Sequence, residues 1–194
     1  MSIINFNRTV KSKSYLAVSL LGNSYKLNIK YVKSSSIDLV QNDSEFCLFL
    51  PIKYKNVDNM EIINSAIKKL YDEVAFNNLE YSLELARHIF KFAPDDYKIQ
   101  RLKDSYYKCS KKVLTVNPDI YQYNQEIIDT TILQAFCKMQ YKQNSNAYKN
   151  ALEFALNSYE KYKKQQKIKK AILSLDTFPQ FHQERNEGRY AGKG

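Results

Sequence analysis

The chain has 194 residues, a formal net charge of +10 and 44% hydrophobic residues, with only four Gly and four Pro. This length is typical of one domain, or one domain with a tail, and the composition excludes collagen-like and glycine- or proline-rich disordered chains. Gly22 is the only glycine in the first 187 residues. P-loop and Rossmann nucleotide sites, which need several closely spaced glycines, are therefore excluded as well.

The first third of the chain has the alternation of β-strands, and we expect a small antiparallel sheet over about residues 10–51. The turn signal Gly22-Asn23 predicts a hairpin, and Pro51 ends the sheet. The four predicted strands cover residues 15–21, 25–32, 37–40 and 46–50.

From Asp58 onward the apolar residues recur every three or four positions, which predicts helices. We expect a long helix pair up to Pro94, with Asn77-Asn78 as its interruption, and then a strand pair over 97–102 and 113–116. Two further helices are predicted, one from about Gln125 and one after Asn146. The sequence therefore predicts an α+β domain over residues 1–165, followed by a basic, extended C-terminal tail over residues 166–194.

The cysteines and the apolar runs indicate the cellular compartment in which we expect the protein. Cys47, Cys109 and Cys137 are widely separated and lack CxxC spacing, so neither a disulfide framework nor a cysteine zinc site is expected. The N-terminus lacks the apolar stretch of a signal peptide, and no run approaches the ~18 apolar residues of a membrane span. We expect a cytoplasmic protein with no membrane partner.

An ordered series of segments carries a family resemblance. Ser105–Cys109 is followed by a strand that ends at Asn117, then by Ile127-Ile128-Asp129 running into Gln134–Lys138, then by Asn144-Ser145. In order and spacing these resemble segments of the YgjP-like zinc metallopeptidases: R-W-G-S-C, a strand ending in Asn, I-D-Y-V before H-E-L-x-H, and N-H-S-x-x-F-W. Residues 20–27 resemble the N-terminal hairpin of that family, so the resemblance covers roughly residues 15–165. It implies a zincin-like arrangement of the C-terminal helices.

The residues that bind zinc and act as general base in that family are substituted here. The family uses two His and a Glu of H-E-x-x-H and a third His from the N-H-S segment. Those positions hold Gln134, Ala135, Lys138 and Asn144. An amide is a poor zinc ligand, alanine cannot take a proton, and an ammonium group repels a dication. The resemblance therefore implies a degenerate site with no metal, no cofactor and no catalytic residue, whose polar groups either recognise a peptide or anion or hold the former site together by hydrogen bonds.

Basic residues are concentrated near the C-terminus. Residues 161–194 hold nine basic and three acidic side chains, which is +6 of the total +10. The candidate binding residues in this segment are Lys161, Lys163, Lys164, Lys167, Lys169, Lys170, Arg185 and Arg189. Their density suits an anionic partner, whereas a solvated helix end or a compositional bias of the coding sequence is the simpler alternative.

A second candidate surface combines aromatic and basic side chains. Its members are Tyr106, Tyr107, Lys108, Lys111 and Lys112. Single-stranded nucleic acids stack their bases on such rings while lysines contact the phosphates. Half-buried aromatic residues on strands would give the same pattern.

Phe178 and Phe181 in the tail are candidates for docking on a partner protein, or for packing back onto their own domain.

The resemblance thus implies a protein of metallopeptidase fold that is not an enzyme. We expect it to bind nucleic acid or a ribonucleoprotein through its basic C-terminal segment. The alternative is an inhibitor or adaptor, for example of a mobile element, that docks on a partner protein through its tail.

Overall fold

The computed structural model describes residues 16–175, with side chains up to Lys169. The architecture is α+β, with a four-stranded sheet, one long helix, a three-stranded sheet and two C-terminal helices. This confirms the predicted fold class. The chain divides after Leu156 into two compact units. Among the helices of residues 16–175, none is both long and apolar enough to cross a lipid bilayer.

The first sheet is mixed, not antiparallel throughout. It comprises β1 (Ala17–Leu20), β2 (Asn23–Val32), β3 (Asp38–Gln41) and β4 (Glu45–Pro51), in the order β1-β2-β4-β3. The predicted hairpins β1–β2 and β3–β4 are antiparallel, but β2 and β4 run parallel. The prediction of a wholly antiparallel sheet was wrong because alternation specifies which face is buried and not which strand is the neighbour. Phe46, Leu48 and Leu50 of β4 are completely buried. This burial agrees with the inner position of β4, which has β2 on one side and β3 on the other.

A single helix, α1 (Met60–Phe90), replaces the predicted helix pair. Asn77 and Asn78 are both exposed, and the Asn78 amide donates to the Val74 carbonyl oxygen at 2.8 Å. Polar residues on the solvent side leave the backbone ladder of a helix intact, so they do not end it. The helix ends at Lys91, which adopts the left-handed conformation with φ of 50°.

The second sheet has one strand more than predicted. It contains β5 (Asp96–Ile99), β6 (Tyr107–Ser110) and β7 (Val113–Val116) in the order β5-β7-β6. The predicted pair corresponds to β5 and β7, which run parallel. The added strand β6 pairs antiparallel with β7. Its residues alternate between half-buried and exposed, but Tyr107 and Cys109 are its only inward positions, and two such positions gave too weak a signal to predict a strand.

Two helices follow, α2 (Gln125–Gln140) and α3 (Asn146–Leu175). Both begin where the sequence predicts. Because α3 continues to Leu175, residues 166–175 are helical, and the prediction of an extended chain was wrong for them. The rest of the predicted tail, residues 176–194, lies outside the described residues.

Within the first unit, α1 buries one stripe of side chains at intervals of four residues. The stripe contains Ile63, Ile67, Tyr71, Ala75 and Leu79. The Tyr71 hydroxyl donates to the carbonyl oxygen of Ser19 in β1 at 2.6 Å. The apolar stripe provides most of the driving force for packing, and the hydroxyl fixes the position of α1 relative to β1.

Candidate functional site

The predicted basic residues of α3 fall into two groups in the structure. Lys161, Lys164, Lys167 and Lys169 are exposed. Lys163 is partly covered, because its Nζ lies 3.1 Å from Glu160 Oε1 and 5.2 Å from the centre of the Tyr159 ring. The Lys170 side chain, Arg185 and Arg189 lie outside the part of the chain whose side chains are described.

Three of the exposed ammonium groups form a row along one side of α3, which we call the lysine stripe (Lys161, Lys164 and Lys167). Each residue of an α-helix turns by about 100°, so residues three apart are offset by about 60° and face the same side of the helix. The stripe therefore occupies an arc of about 120° and a length of about 9 Å. Lysines near the C-terminal end of a helix often stabilise it by interacting with the negative end of the helix dipole, but this stabilisation is confined to the last turn. The last turn of α3 holds no basic residue.

The second candidate surface does not present exposed ring faces. Tyr106 and Tyr107 are both half-buried and contact different elements. The Tyr106 hydroxyl oxygen lies 2.7 Å from that of Tyr123, with the two rings perpendicular at 5.4 Å between centres. The Tyr107 ring instead lies 5.6 Å from Lys138 Nζ. Burial, reinforced by the hydrogen bond with Tyr123, raises the pKa of Tyr106 to about 12.

The lysines of that surface are exposed around the turn between β6 and β7. Lys111 occupies the turn with φ of 54°, and Lys112 Nζ lies 3.6 Å from Asp95 Oδ2. Lys108 is exposed within β6. Bases stack on exposed ring faces, and the half-buried tyrosines do not offer such faces beside these lysines. This surface is therefore a weaker candidate than the lysine stripe.

The four positions that the sequence resemblance assigns to a metal site lie on α2 and in the turn after it. Gln134 and Lys138 are exposed and one helical turn apart, while Ala135 is fully buried. The Gln134 side chain lies beside the Tyr148 hydroxyl, where it partly offsets the rise that burial causes in the pKa of Tyr148, and Lys138 Nζ lies over the Tyr107 ring. Asn144 is exposed, with φ of 67°. For Gln134 and Lys138 these contacts favour a role in holding the α2 surface together.

Two thiols lie close to these positions. Cys109 Sγ donates to the Ala135 carbonyl oxygen at 3.5 Å, and Cys137 Sγ donates to that of Tyr148 at 3.4 Å. Burial raises the pKa of both thiols, and at Cys109 the nearby Lys138 partly offsets this effect. A raised thiol pKa leaves little thiolate at neutral pH, and the thiolate is the reactive form. Both cysteines therefore serve packing better than nucleophilic chemistry.

Within residues 16–169, no group of three or more His, Cys, Asp or Glu is placed to hold a metal ion. His88 is exposed in the last turn of α1, and His182 lies outside the described chain.

A buried polar cluster connects α1 with α2. The Ser82 hydroxyl and the Gln125 amide both donate to Asp129 Oδ1, at 2.6 and 2.8 Å. Ser82 and Asp129 are almost completely buried, so this carboxylate is shielded from substrates and holds two helices together. The sequence pointed to Asp129 only through the family resemblance, and it gave no signal for Ser82 or Gln125.

Arg101 is a second connection that sequence reasoning missed. Its Nη1 lies 2.9 Å from Asp72 Oδ2, and its Nη2 donates to the Lys68 carbonyl oxygen at 2.6 Å. Its Nε lies 3.4 Å from Asp119 Oδ1. The guanidinium thus joins α1 to the 3₁₀ turn Pro118–Gln122. Its partners are widely separated in sequence, and no short motif could have identified them.

Comparison with known proteins adds no functional assignment. No protein-family model, no curated protein and no solved structure matches the chain. The resemblance to YgjP-like metallopeptidases therefore rests on the sequence segments quoted above.

Proposed function

We propose that the protein is a non-catalytic binding protein that contacts nucleic acid, bare or within a ribonucleoprotein, through the lysine stripe of α3. The observation that carries the proposal is the exposure of Lys161, Lys164 and Lys167 at three-residue intervals, away from the last turn of the helix. One acidic residue, Glu160, occurs between residues 157 and 175. The stripe therefore has little acidic compensation along its own helix.

The energetics of the isolated helix support a partner for this stripe. Like charges three or four residues apart destabilise a helix by roughly 0.2–0.5 kcal/mol per pair. Phosphates would remove this repulsion, and the release of their condensed counterions would add to the free energy of binding. An anionic polymer is a better partner than a single small anion because the three ammonium groups extend over about 9 Å.

Two features support binding without catalysis. The positions that the resemblance assigns to zinc and base hold Gln134, Ala135, Lys138 and Asn144, which do not supply the histidine ligands or the glutamate base of that family. The thiols nearest to them, Cys109 and Cys137, have raised pKa values through burial.

The test replaces the lysine stripe without shortening the chain. Glutamine has nearly the helix propensity of lysine, so the variant K161Q/K164Q/K167Q removes charge while keeping α3. Binding to a labelled single-stranded RNA, its DNA equivalent and a DNA duplex is measured by fluorescence anisotropy at fixed salt. We expect the affinity for at least one of these probes to fall by at least about tenfold.

A matched control has the same change in net charge. K26Q/K55Q/K103Q alters three exposed lysines of the first unit, and its affinity is expected to stay within about threefold of wild type. Circular dichroism verifies that both variants retain helix content. Equal losses in the two variants, or no binding of any probe by wild type, would contradict the proposal. In the second case the inhibitor or adaptor function proposed for Phe178 and Phe181 becomes the better account.

A further inference from the structure

A groove with a volume of about 690 Å³ lies between β3 and the first half of α1. On one side it is lined by residues 37–40, and on the other by one face of α1 from Glu61 to Glu73. This helical stretch is about 18 Å long at about 1.5 Å per residue. The volume is in the range of ligand pockets, about 300–1,000 Å³. Because a strand and a helix border the groove along its length, its shape suits an extended occupant.

The strand side of the groove is a sheet edge. Within residues 16–175, β3 pairs with β4 on one side and is the last strand of the sheet on the other. An edge strand presents unpaired N–H and C=O groups that can pair with another extended chain. Ile37 and Val40 are 39% and 44% exposed, so apolar side chains accompany this edge. Across the groove, Ile62, Ala66 and Leu70 are only partly covered.

The charge of the groove is opposite to that of the chain. Its lining includes the carboxylates of Asp38, Glu61 and Glu73. Lys69 is the one cation among the lining residues, and its Nζ lies 3.8 Å from Glu73 Oε1. The groove therefore carries a formal charge of −2 in a protein of net charge +10. Such a surface disfavours nucleic acid and attracts basic side chains.

From these features we propose that the groove binds an extended, basic peptide segment of another protein by adding it as a strand to β3. Main-chain hydrogen bonds to the free edge provide affinity in this mode, and alternate side chains provide specificity. Five or six residues at about 3.3 Å each match the 18 Å of α1 beside the groove. Alternate residues of the peptide contact the apolar lining, while Lys or Arg side chains contact the three carboxylates. The proposal goes beyond nucleic-acid binding and uses no residue of the lysine stripe.

The first experiment selects peptides from a random display library with the full-length protein, free of nucleic acid. We expect the recovered peptides to combine Lys or Arg with alternating apolar residues. Their synthetic versions should bind E61K/E73K at least about tenfold more weakly than wild type. D104K/E153K makes the same change at two exposed carboxylates away from the groove, and it should retain the wild-type affinity.

A second measurement tests strand addition directly. Methylating the amide nitrogens of a recovered peptide one at a time should reduce affinity at alternate positions, because only every second amide of an added strand faces β3. Recovery of no basic peptide, equal binding by E61K/E73K, or the absence of this period-two pattern would overturn the proposal. If the full chain instead forms a dimer that E61K/E73K dissociates, the groove is an interface between two copies and the proposal is wrong. Peptide binding by K161Q/K164Q/K167Q should be unchanged, so this test succeeds or fails separately from the proposed nucleic-acid function.

Discussion

Asp129 keeps a carboxylate in the interior of the first unit, and its contacts explain how the fold tolerates it. Ser82 from α1 and Gln125 from α2 donate to the same oxygen, Oδ1. An ionised carboxylate moved out of water is costly unless hydrogen bonds replace its hydration. Hydrogen bonds to charged groups contribute about 1.5–3 kcal/mol each, so this cluster stabilises one relative position of the two helices.

Removing one donor from the cluster should destabilise the protein. For Ser82→Ala we expect the free energy of unfolding to fall by about 1–3 kcal/mol, because a buried acceptor loses a donor that lies 2.6 Å away. Urea denaturation measures the change. Ser65→Ala, an exposed serine of the same helix, should change stability by less than about 0.5 kcal/mol. A loss equally small for Ser82→Ala would show that the cluster does not hold the two helices together.

Tyr107 gives a pH-dependent prediction. Burial raises its pKa from the ordinary value of 10.0 to about 12. The neutral phenol is therefore favoured in the folded protein, and its contribution is fully present below pH 10 and lost as the pH rises towards 12. Stability measured by urea denaturation should consequently fall less steeply between pH 10 and 12 in Tyr107→Phe than in wild type. Parallel pH profiles of the two proteins would contradict this account.

At the scale of elements, features that depend on residues close in sequence were predicted correctly more often than features that depend on contacts across the fold. The Gly22-Asn23 turn, the stripe of α1 and the starts of α2 and α3 follow from residues close in sequence, so the sequence was sufficient to predict them. The parallel pairing of β2 with β4 and the addition of β6 depend on contacts across the fold, which a local pattern does not encode. The candidate site shows the same division. The sequence identified the lysine stripe, whereas the groove became visible only when β3 was placed beside α1.

Gly22 shows how a local turn depends on a distant element. It has φ of 80°, and a Cβ at this position would lie 2.7 Å from Asn124 Cβ. Asn124 is the residue that caps α2, where its side chain accepts from the Ile127 amide at 3.0 Å. The turn between β1 and β2 therefore requires glycine both for its backbone conformation and for its contact with the start of α2.

Substitution of this glycine should be costly. Gly22→Ala combines an unfavourable positive φ with a backbone-level clash, and we expect a loss of at least about 2 kcal/mol in the free energy of unfolding. Ser24→Ala, at an exposed position of the same hairpin, serves as control and should cost less than about 0.5 kcal/mol. Thermal or urea unfolding compares the two. Equal stabilities of the two variants would mean that the turn does not pack against α2 as described.

At the scale of the whole molecule, two charged surfaces of opposite sign support the two proposals. The lysine stripe belongs to α3 beyond residue 156, and the acidic groove belongs to the first unit. The net charge of +10 alone suggests that the protein binds nucleic acid, but it does not indicate which part of the surface makes the contact. We propose the lysine stripe as the contact surface because the groove is acidic and because Tyr106 and Tyr107 of the second candidate surface are half-buried.

The measurement that tests the nucleic-acid proposal most directly is the salt dependence of binding. The logarithm of the association constant falls with the logarithm of salt concentration, with a slope of about 0.7 per phosphate contacted on a single strand. If all three lysines of the stripe contact phosphates, the slope for K161Q/K164Q/K167Q should be smaller than that of wild type by about 2. K26Q/K55Q/K103Q should keep the wild-type slope. Identical slopes for wild type and the stripe variant would contradict the central claim that the lysine stripe of α3 contacts nucleic acid.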